Sequence, residues 1–224
     1  YLEFQGHEQA EDYERWLDLG TAVSHVTYRV GDVNFQREAF SSHPAGALVQ
    51  RIEADRAGAV SFRVELGCLH EESTIRTAQD GTLILSGRIS NEGGLGFEAR
   101  VRVVTEGGKV LVEDDRLVVR EANTATVYLV AATTFVNYKD ITGNPTQRNV
   151  EVLDSVLAAD YEDLKASHVA DHQALFNRVS LDLGSSPASI TNSTVLQRME
   201  RADKSDDIDL AELLFHYGRY LLIE

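Results

Sequence analysis

Cysteine and long apolar runs are scarce in this sequence, and each scarcity excludes a class of protein. The one cysteine, Cys68, cannot form an intrachain disulfide; it lies in an apolar run without basic neighbours, which predicts a buried structural thiol. No apolar run approaches the ~20 residues that a membrane-spanning helix needs, so we expect no membrane partner. The chain begins at Tyr1 without a signal peptide, and we expect a cut or processed N-terminus.

Basic residues are also few, with 21 Lys and Arg against 36 Asp and Glu and a formal net charge of −15. This charge argues against nucleic acid and anionic membranes as partners, because both require a basic surface. It is compatible with a neutral or cationic ligand. The run Gly93-Gly94-Leu95-Gly96 is not followed by a helical pattern, so it fails as a dinucleotide site and we expect no cofactor.

Residues 1–133 show the two-residue alternation and regular turns of successive strands without intervening helices. This pattern predicts an antiparallel β-sandwich, with a closed barrel as the alternative. Tight turns are predicted at Gly31-Asp32, Ala57-Gly58, Asp80-Gly81 and Gly107-Gly108. The predicted strands are Tyr1–Phe4, Thr21–Val30, Val33–Glu38, Ala47–Ile52, Ala59–Leu66, Thr82–Leu85, Phe97–Val104, Lys109–Val112, Arg116–Val119 and Ala125–Ala132.

The second part of the chain changes period. Residues 134–150 are predicted to form a polar exit loop, and 151–208 to form linker helices and a connector that includes a short strand, Val179–Leu183. Residues 209–224 form an amphipathic helix without a stop signal, so we expect its packing partner to be missing. One helical face is predicted to carry Leu153, Leu157, Tyr161, Leu164, His168 and Leu175.

His168 and His172 are four residues apart, a spacing that can place two imidazoles on one zinc ion. Val169 occupies the position where the metallohydrolase motif has Glu, and no third ligand is evident nearby. Structural histidines are therefore the favoured interpretation, and we expect no metal.

Trp16 is surrounded in sequence by carboxylates, a combination that can bind a sugar, although a lone Trp in a strand is more typical of a core. We therefore favour a core position for it. Asp114-Asp115 is predicted to be a hairpin turn and not an acid/base pair. Asn192-Ser193-Thr194 is an acceptor sequence for N-glycosylation, which points towards a secreted or extracellular protein.

Seven stretches carry a resemblance in chain order: Tyr13–Leu19, Phe35–Ser42, Leu85–Arg88, Phe97–Val101, Ala131–Phe135, His168–Gln173 and Leu214–Ile223. Together they resemble one family, the α-L-fucosidases of glycoside hydrolase family 95. The resemblance implies a β-sandwich that is incomplete at its N-terminus, linker helices, and the first helix, from residue 209, of an (α/α)6 catalytic barrel that is otherwise absent here.

The resemblance further implies inverting hydrolysis of terminal α-linked L-fucose, such as α-1,2-fucosyl-galactose. The parent enzyme would then bind fucosylated oligosaccharides, with this part mainly a scaffold. The family's catalytic groups lie in the barrel, so no catalytic residue is assigned in this chain, which we expect to be inactive alone. Asn137 and Asp140 of the exit loop are the candidate substrate-binding residues.

Two alternatives stay open. The sandwich could be a non-catalytic carbohydrate-binding or structural module. The parent could also be a sandwich-plus-barrel hydrolase or phosphorylase for another sugar, such as an α-L-galactoside.

Overall fold

The computed structural model describes residues 1–89, 93–201 and 207–223. Its strands are β1 (Leu2–Glu3), β2 (Glu11–Asp18), β3 (Val23–Val30), β4 (Val33–Ser42), β5 (Ala47–Ala54), β6 (Val60–Val64), β7 (Ser73–Thr77), β8 (Leu83–Arg88), β9 (Gly96–Glu106), β10 (Lys109–Glu113), β11 (Arg116–Ala122) and β12 (Thr124–Thr133). Its helices are α1 (Pro145–Ala158), α2 (Tyr161–Phe176), α3 (Ala188–Thr191), α4 (Val195–Met199) and α5 (Ile208–Ile223).

The strands form two sheets, so the predicted β-sandwich followed by helices is confirmed. A four-stranded sheet has the order β1-β6-β11-β10, and an eight-stranded sheet has the order β2-β3-β4-β5-β12-β9-β8-β7. Both sheets have edge strands, so they do not close into the alternative barrel. The strand pairs with an assigned register are antiparallel. Strand β12 pairs with β5 on one side and with β9 on the other.

The core is built from the alternate residues of strands in both sheets. Its most deeply buried members include Ile52, Val60, Leu83, Leu117 and Ala125, each 0% exposed. Burial of such side chains is the main favourable term in folding, at roughly 25 cal/mol per Å² of apolar surface. The inward residues therefore fix which face of each strand points outward.

Turn chemistry agrees with the sequence where the hairpins are tightest. Gly107 and Gly108, between β9 and β10, have φ of +70° and +60°, a region that glycine enters at little cost. Asp114 and Asp115 join β10 to β11 with φ of +47° and +55°, which confirms the predicted hairpin turn. The strand Tyr1–Phe4 is confirmed in part, since only Leu2–Glu3 pairs with β6.

Helix α1 begins six residues before the helical pattern was expected, so the predicted exit loop 134–150 ends at residue 144. The Asn144 side chain accepts a hydrogen bond from the Gln147 N–H at 3.1 Å, and Pro145 occupies the first turn. Leu153 and Val156 are buried, and α1 packs on β12 and β9. The Asn144 cap and Pro145 favour a helix start here, although the polar composition of the segment had predicted a loop.

Three further expectations are wrong. Val179–Leu183 is irregular and not a strand, because the Val179 carbonyl accepts a hydrogen bond from Arg219 of α5 and is not part of a ladder. Leu175, expected on the buried face, is 44% exposed. Cys68 is half-buried, because it lies in the irregular segment after β6, where its Sγ accepts a hydrogen bond from the His70 N–H at 3.4 Å.

The chain divides into two compact units. The first comprises residues 1–17 and 23–168, and the second comprises residues 18–22 together with the described residues after 168. Part of the predicted connector, residues 202–206, and the last residue of the predicted segment 209–224 lie outside the described residues. Within the described ranges, no helix is both long and apolar enough to cross a membrane.

Candidate functional site

A cleft of about 560 Å³ opens on the outer face of the eight-stranded sheet, entirely within the first unit. Its side chains come from β2, β3, β4 and from β5 and the residue after it. The lining residues with polar side-chain groups are Asp12, Glu14, Thr27, Tyr28, Asn34, Gln36, Glu53 and Asp55.

Strand register explains why these residues meet. Thr27 of β3 is paired with Gln36 of β4, and Gln36 is paired in turn with Glu53 of β5. Directly opposed residues point to the same face of a sheet, while their chain neighbours point to the other. The neighbours Tyr28 and Phe35 are accordingly buried.

At one end of the cleft, the polar side chains form hydrogen bonds with one another. Arg29 donates to Asp12 at 2.9 Å and to Glu11 at 2.7 Å. Asn34 donates to Asp55 through its side-chain amide at 2.6 Å and its backbone N–H at 3.0 Å. These hydrogen bonds from Asn34 hold the pKa of Asp55 below its usual value, so this carboxylate is ionised and not poised to donate a proton.

The other end meets a second cavity of about 180 Å³, and Gln36 and Glu53 line both. Glu38 also lines the second cavity and accepts hydrogen bonds from Tyr161 at 2.8 Å and Lys165 at 2.6 Å. Burial raises the pKa of Glu38, but these two hydrogen bonds outweigh it, so the net pKa lies below its usual value. This carboxylate anchors α2 to the sheet.

Trp16 lies on the cleft side of β2 and is not in the core. Its indole stacks on the imidazole of His25, with ring centroids 4.9 Å apart, and 43% of the residue stays exposed. The core prediction is wrong because β2 is an edge strand of the sheet, so nearly all of its residues are exposed. The structure instead agrees with the alternative interpretation of Trp16, an exposed aromatic residue close to carboxylates.

The two exit-loop candidates, Asn137 and Asp140, are brought together. Each backbone N–H bonds the other's carbonyl, at 3.1 and 3.0 Å. The Asn137 side-chain oxygen accepts the Lys139 N–H, and one Asp140 oxygen accepts the backbone and hydroxyl donors of Thr142. Those donors lower the pKa of Asp140. Among the described residues, the side-chain NH2 group of Asn137 and the second carboxylate oxygen of Asp140 make no hydrogen bond of this kind.

The glycosylation candidate Asn192 is exposed and ends the short helix α3. Thr194, two residues later, caps α4 by accepting the Gln197 N–H at 3.3 Å. An exposed Asn in a segment between two short helices is accessible in this chain.

His168 and His172 are both buried, at 2% and 1% exposure, as expected of structural histidines. In the first unit, His168 stacks on Phe40 with centroids 4.9 Å apart. In the second unit, the Nε2 of His172 lies 2.8 Å from the Leu19 carbonyl oxygen. Across residues 1–89, 93–201 and 207–223, no three His, Cys, Asp or Glu side chains are grouped as a metal site would require.

The carboxyl groups with shifted pKa values in the described part of the chain are not suited to general acid catalysis. A catalytic acid needs a raised pKa, yet wherever the surroundings move a carboxyl pKa in this part, they lower it. One of these groups, the buried Glu98, accepts hydrogen bonds from Arg100, Thr146 and Asn149. These hydrogen bonds keep the Glu98 carboxylate ionised.

Glu14 was among the carboxylates that flank Trp16 in the sequence, whereas Gln36 of the cleft and Glu38 of the second cavity were not predicted as site residues. The sequence does show polar residues at alternate positions of β3 and β4. This alternation predicts that each strand has a polar face, but it does not predict which strands are neighbours in the sheet.

Comparison with known proteins identifies two family matches in chain order. The model described as the N-terminal domain of glycosyl hydrolase family 65 matches residues 1–138, and the catalytic domain model of glycosyl hydrolase family 95 matches residues 160–224.

Curated relatives match nearly the whole chain. It is 35% identical over 243 residues to alpha-L-fucosidase 2 of Arabidopsis thaliana, an alignment that covers 94% of this chain and 28% of that protein. It is 27% identical over 228 residues to probable alpha-fucosidase A of Aspergillus niger, which covers 95% of this chain and 28% of that protein. The chain thus spans less than a third of the length of both relatives.

Among solved structures, a putative kojibiose phosphorylase from human microbiome superposes with a TM-score of 0.52 at 14% identity. The match covers 75% of this chain and 25% of that one. At this identity the likeness shows the fold alone.

Proposed function

Because the chain belongs to the glycosyl hydrolases in which an N-terminal domain of the family 65 type precedes a family 95 catalytic domain, we propose that it is part of an exo-glycosidase that removes terminal α-L-fucosyl residues. The resemblance to family 95 found in the sequence is thereby confirmed. The observation that carries the proposal is the family 95 catalytic match at residues 160–224, together with relatives named as α-fucosidases over 94% and 95% of this chain.

The chain's own role in this proposal is that of a scaffold. Inverting hydrolysis needs a protonated carboxyl on the leaving oxygen and a carboxylate that activates water, roughly 6.5–9.5 Å apart. The described carboxylates with lowered pKa values, such as Glu38 and Glu98, are held ionised by donors and cannot serve as that acid. We therefore assign the chemistry to a larger polypeptide and no catalytic residue to this chain.

The finer points of the proposal are the linkage, the stereochemistry and the substrate contacts. We infer α-1,2-fucosyl-galactose as a substrate, released with inversion, and a secreted protein that carries glycan on Asn192. In the exit loop, the free amide of Asn137 and the free oxygen of Asp140 could bond sugar hydroxyls, since an amide donates and a carboxylate accepts.

The test is to assay the 224-residue chain and the longer polypeptide containing it on α-1,2-fucosyl-galactose. We expect fucose release only from the longer protein, and proton NMR at early times should show the β anomer first. Release of fucose by the 224-residue chain alone would contradict the scaffold role. Cleavage that depends on inorganic phosphate and yields a sugar phosphate would instead establish the phosphorylase alternative.

A further inference from the structure

We propose that the 560 Å³ cleft on the outer face of the eight-stranded sheet, which Glu14 and Gln36 line, binds a neutral saccharide together with Trp16, which lies beside the cleft on β2. The inference goes beyond the proposed hydrolysis, because it assigns a ligand to side chains of this chain and requires no catalytic group. It rests on the cleft's free polar groups, its exposed aromatic ring and its charge.

The free polar groups are the first step. At one end of the cleft, Asp12 and Asp55 are occupied by Arg29 and Asn34, and at the other end Glu38 is occupied by Lys165.

Between these occupied ends, the side chains of Glu14, Thr27 and Gln36 have no hydrogen-bond partner within the described residues. They supply a charged acceptor, a hydroxyl, and an amide that both donates and accepts. A row of unlike groups suits a ligand that carries several hydroxyls, each able to donate and accept.

The aromatic ring is the second step. Trp16 lies two residues along β2 from Glu14, and period-two alternation puts both side chains on one face of the strand, about 7 Å apart. One side of the indole is packed on His25, while 43% of the residue is exposed. A half-exposed indole beside hydrogen-bonding groups offers an apolar plane for the CH face of a sugar ring and a free N–H at its edge.

Charge and size select the class of ligand. Four carboxylates, Asp12, Glu14, Glu53 and Asp55, line the cleft, while Arg29 pairs with Asp12 and Arg51 pairs with Glu53. The carboxylates outnumber these two basic groups, so an anionic ligand would be repelled. A divalent cation is not favoured, since the described residues hold no group of three metal ligands. The volume falls within the ~300–1,000 Å³ typical of small-molecule sites.

The experiment titrates the 224-residue chain with α-1,2-fucosyl-galactose and lactose as neutral probes and with glucuronic acid as an anionic probe. Trp16 is the one tryptophan of the sequence, so fluorescence reports on the cleft directly, and calorimetry serves variants that lack it. We expect saturable binding of a neutral probe with a Kd of about 1–10 mM, and binding of glucuronate that is weaker by about tenfold or more.

Variants separate this cleft from any other surface. Trp16→Ala and Gln36→Ala should each weaken binding by about tenfold, whereas Tyr13→Ala, a matched exposed aromatic on the other face of β2, should change it less than about twofold. Far-UV circular dichroism checks folding, and Gln36→Ala decides the matter if Trp16→Ala does not fold.

Three results would overturn the proposal. They are no saturable binding of either neutral probe, binding that survives both Trp16→Ala and Gln36→Ala, and equal binding of glucuronate. None of these results bears on fucose release by the longer protein, so the two proposals fail separately.

Discussion

Lys165 of α2 donates a 2.6 Å hydrogen bond to Glu38 of β4, and the two residues are 127 positions apart in the chain. Tyr161, one turn earlier on the helix, donates to the same carboxylate oxygen at 2.8 Å, and His25 of β3 lies 3.4 Å from the other. One carboxylate thus receives donors from a helix and faces a histidine of the adjacent strand. It fixes the N-terminal half of α2 on the sheet without any disulfide.

Replacing Glu38 should therefore destabilise the first unit. We expect Glu38→Ala to lower the free energy of unfolding by about 2–3 kcal/mol, because its donors lose a charged acceptor in a half-buried place. Urea denaturation followed by circular dichroism measures it. The exposed neighbour of Tyr161, Glu162, provides the control, since Glu162→Ala should cost less than about 0.5 kcal/mol. Equal effects of the two changes would contradict the anchoring role of Glu38.

Glu98 should make stability depend on acid. Burial raises its pKa, but hydrogen bonds from Arg100, Thr146 and Asn149 outweigh it and leave the pKa below the usual 4.5. A depressed carboxyl pKa adds stability above the unfolded value, and this contribution is lost as pH falls below about 4.5 and through the folded pKa. Glu98→Gln should be less stable at pH 7 by about 1–3 kcal/mol.

The same variant should lose less stability than the native chain on acidification from pH 5 to pH 3. Thermal melts at half-unit pH intervals measure both slopes. Parallel slopes for the two proteins would show that Glu98 does not titrate in this range.

Metal removal should leave the protein unchanged. His168 and His172 are four apart but are used differently, since His168 stacks on Phe40 and His172 lies against the Leu19 carbonyl. We expect excess EDTA, or added Zn²⁺, to shift Tm by less than about 1 °C, because a ligand bound to the native state would raise it. A zinc-dependent rise in Tm that disappears in His172→Ala would reinstate a metal site.

The exit-loop proposal predicts a kinetic effect in the longer enzyme. Asn137→Ala and Asp140→Ala should each lower kcat/KM on α-1,2-fucosyl-galactose by more than about tenfold, since each removes a proposed bond to a sugar hydroxyl. Thr142→Val serves as the control, because Thr142 bonds Asp140 within the loop and has no proposed sugar contact. If Thr142→Val has the same effect as Asp140→Ala, the role of Asp140 is to shape the loop.

Much of the fold follows from local pattern, and the departures have identifiable causes. The strands with clear alternation, such as β3, β5 and β12, were predictable because half-buried strands need period two. The short edge strand β7 was missed, since its five residues include no fully buried side chain. Trp16 was assigned to the core because a lone Trp in a strand is usually buried. Its burial depends on whether another layer covers β2, and the sequence does not show that β2 is an edge strand.

The cleft was beyond local reasoning for a related cause. Glu14, Gln36 and Glu53 come from three strands, and their proximity depends on strand order and register. The sequence predicts that each of these residues lies on the polar face of its strand, but it does not predict that the three residues are close in space. The helical pattern likewise suggested one continuous face after residue 150, whereas the chain breaks between α1 and α2 at Ala159 and Asp160.

The position of β12 at the middle of the eight-stranded sheet has a consequence for synthesis of the protein. Strand β5 leaves the ribosome early, but its second neighbour is β12, which follows about 70 residues later, or some 4–14 s at ordinary rates of translation. During that interval the backbone of β5, with Val49 and Ile52, presents an open edge to the cell. A nascent chain paused in this window is the form of the protein most exposed to chaperones and to mispairing.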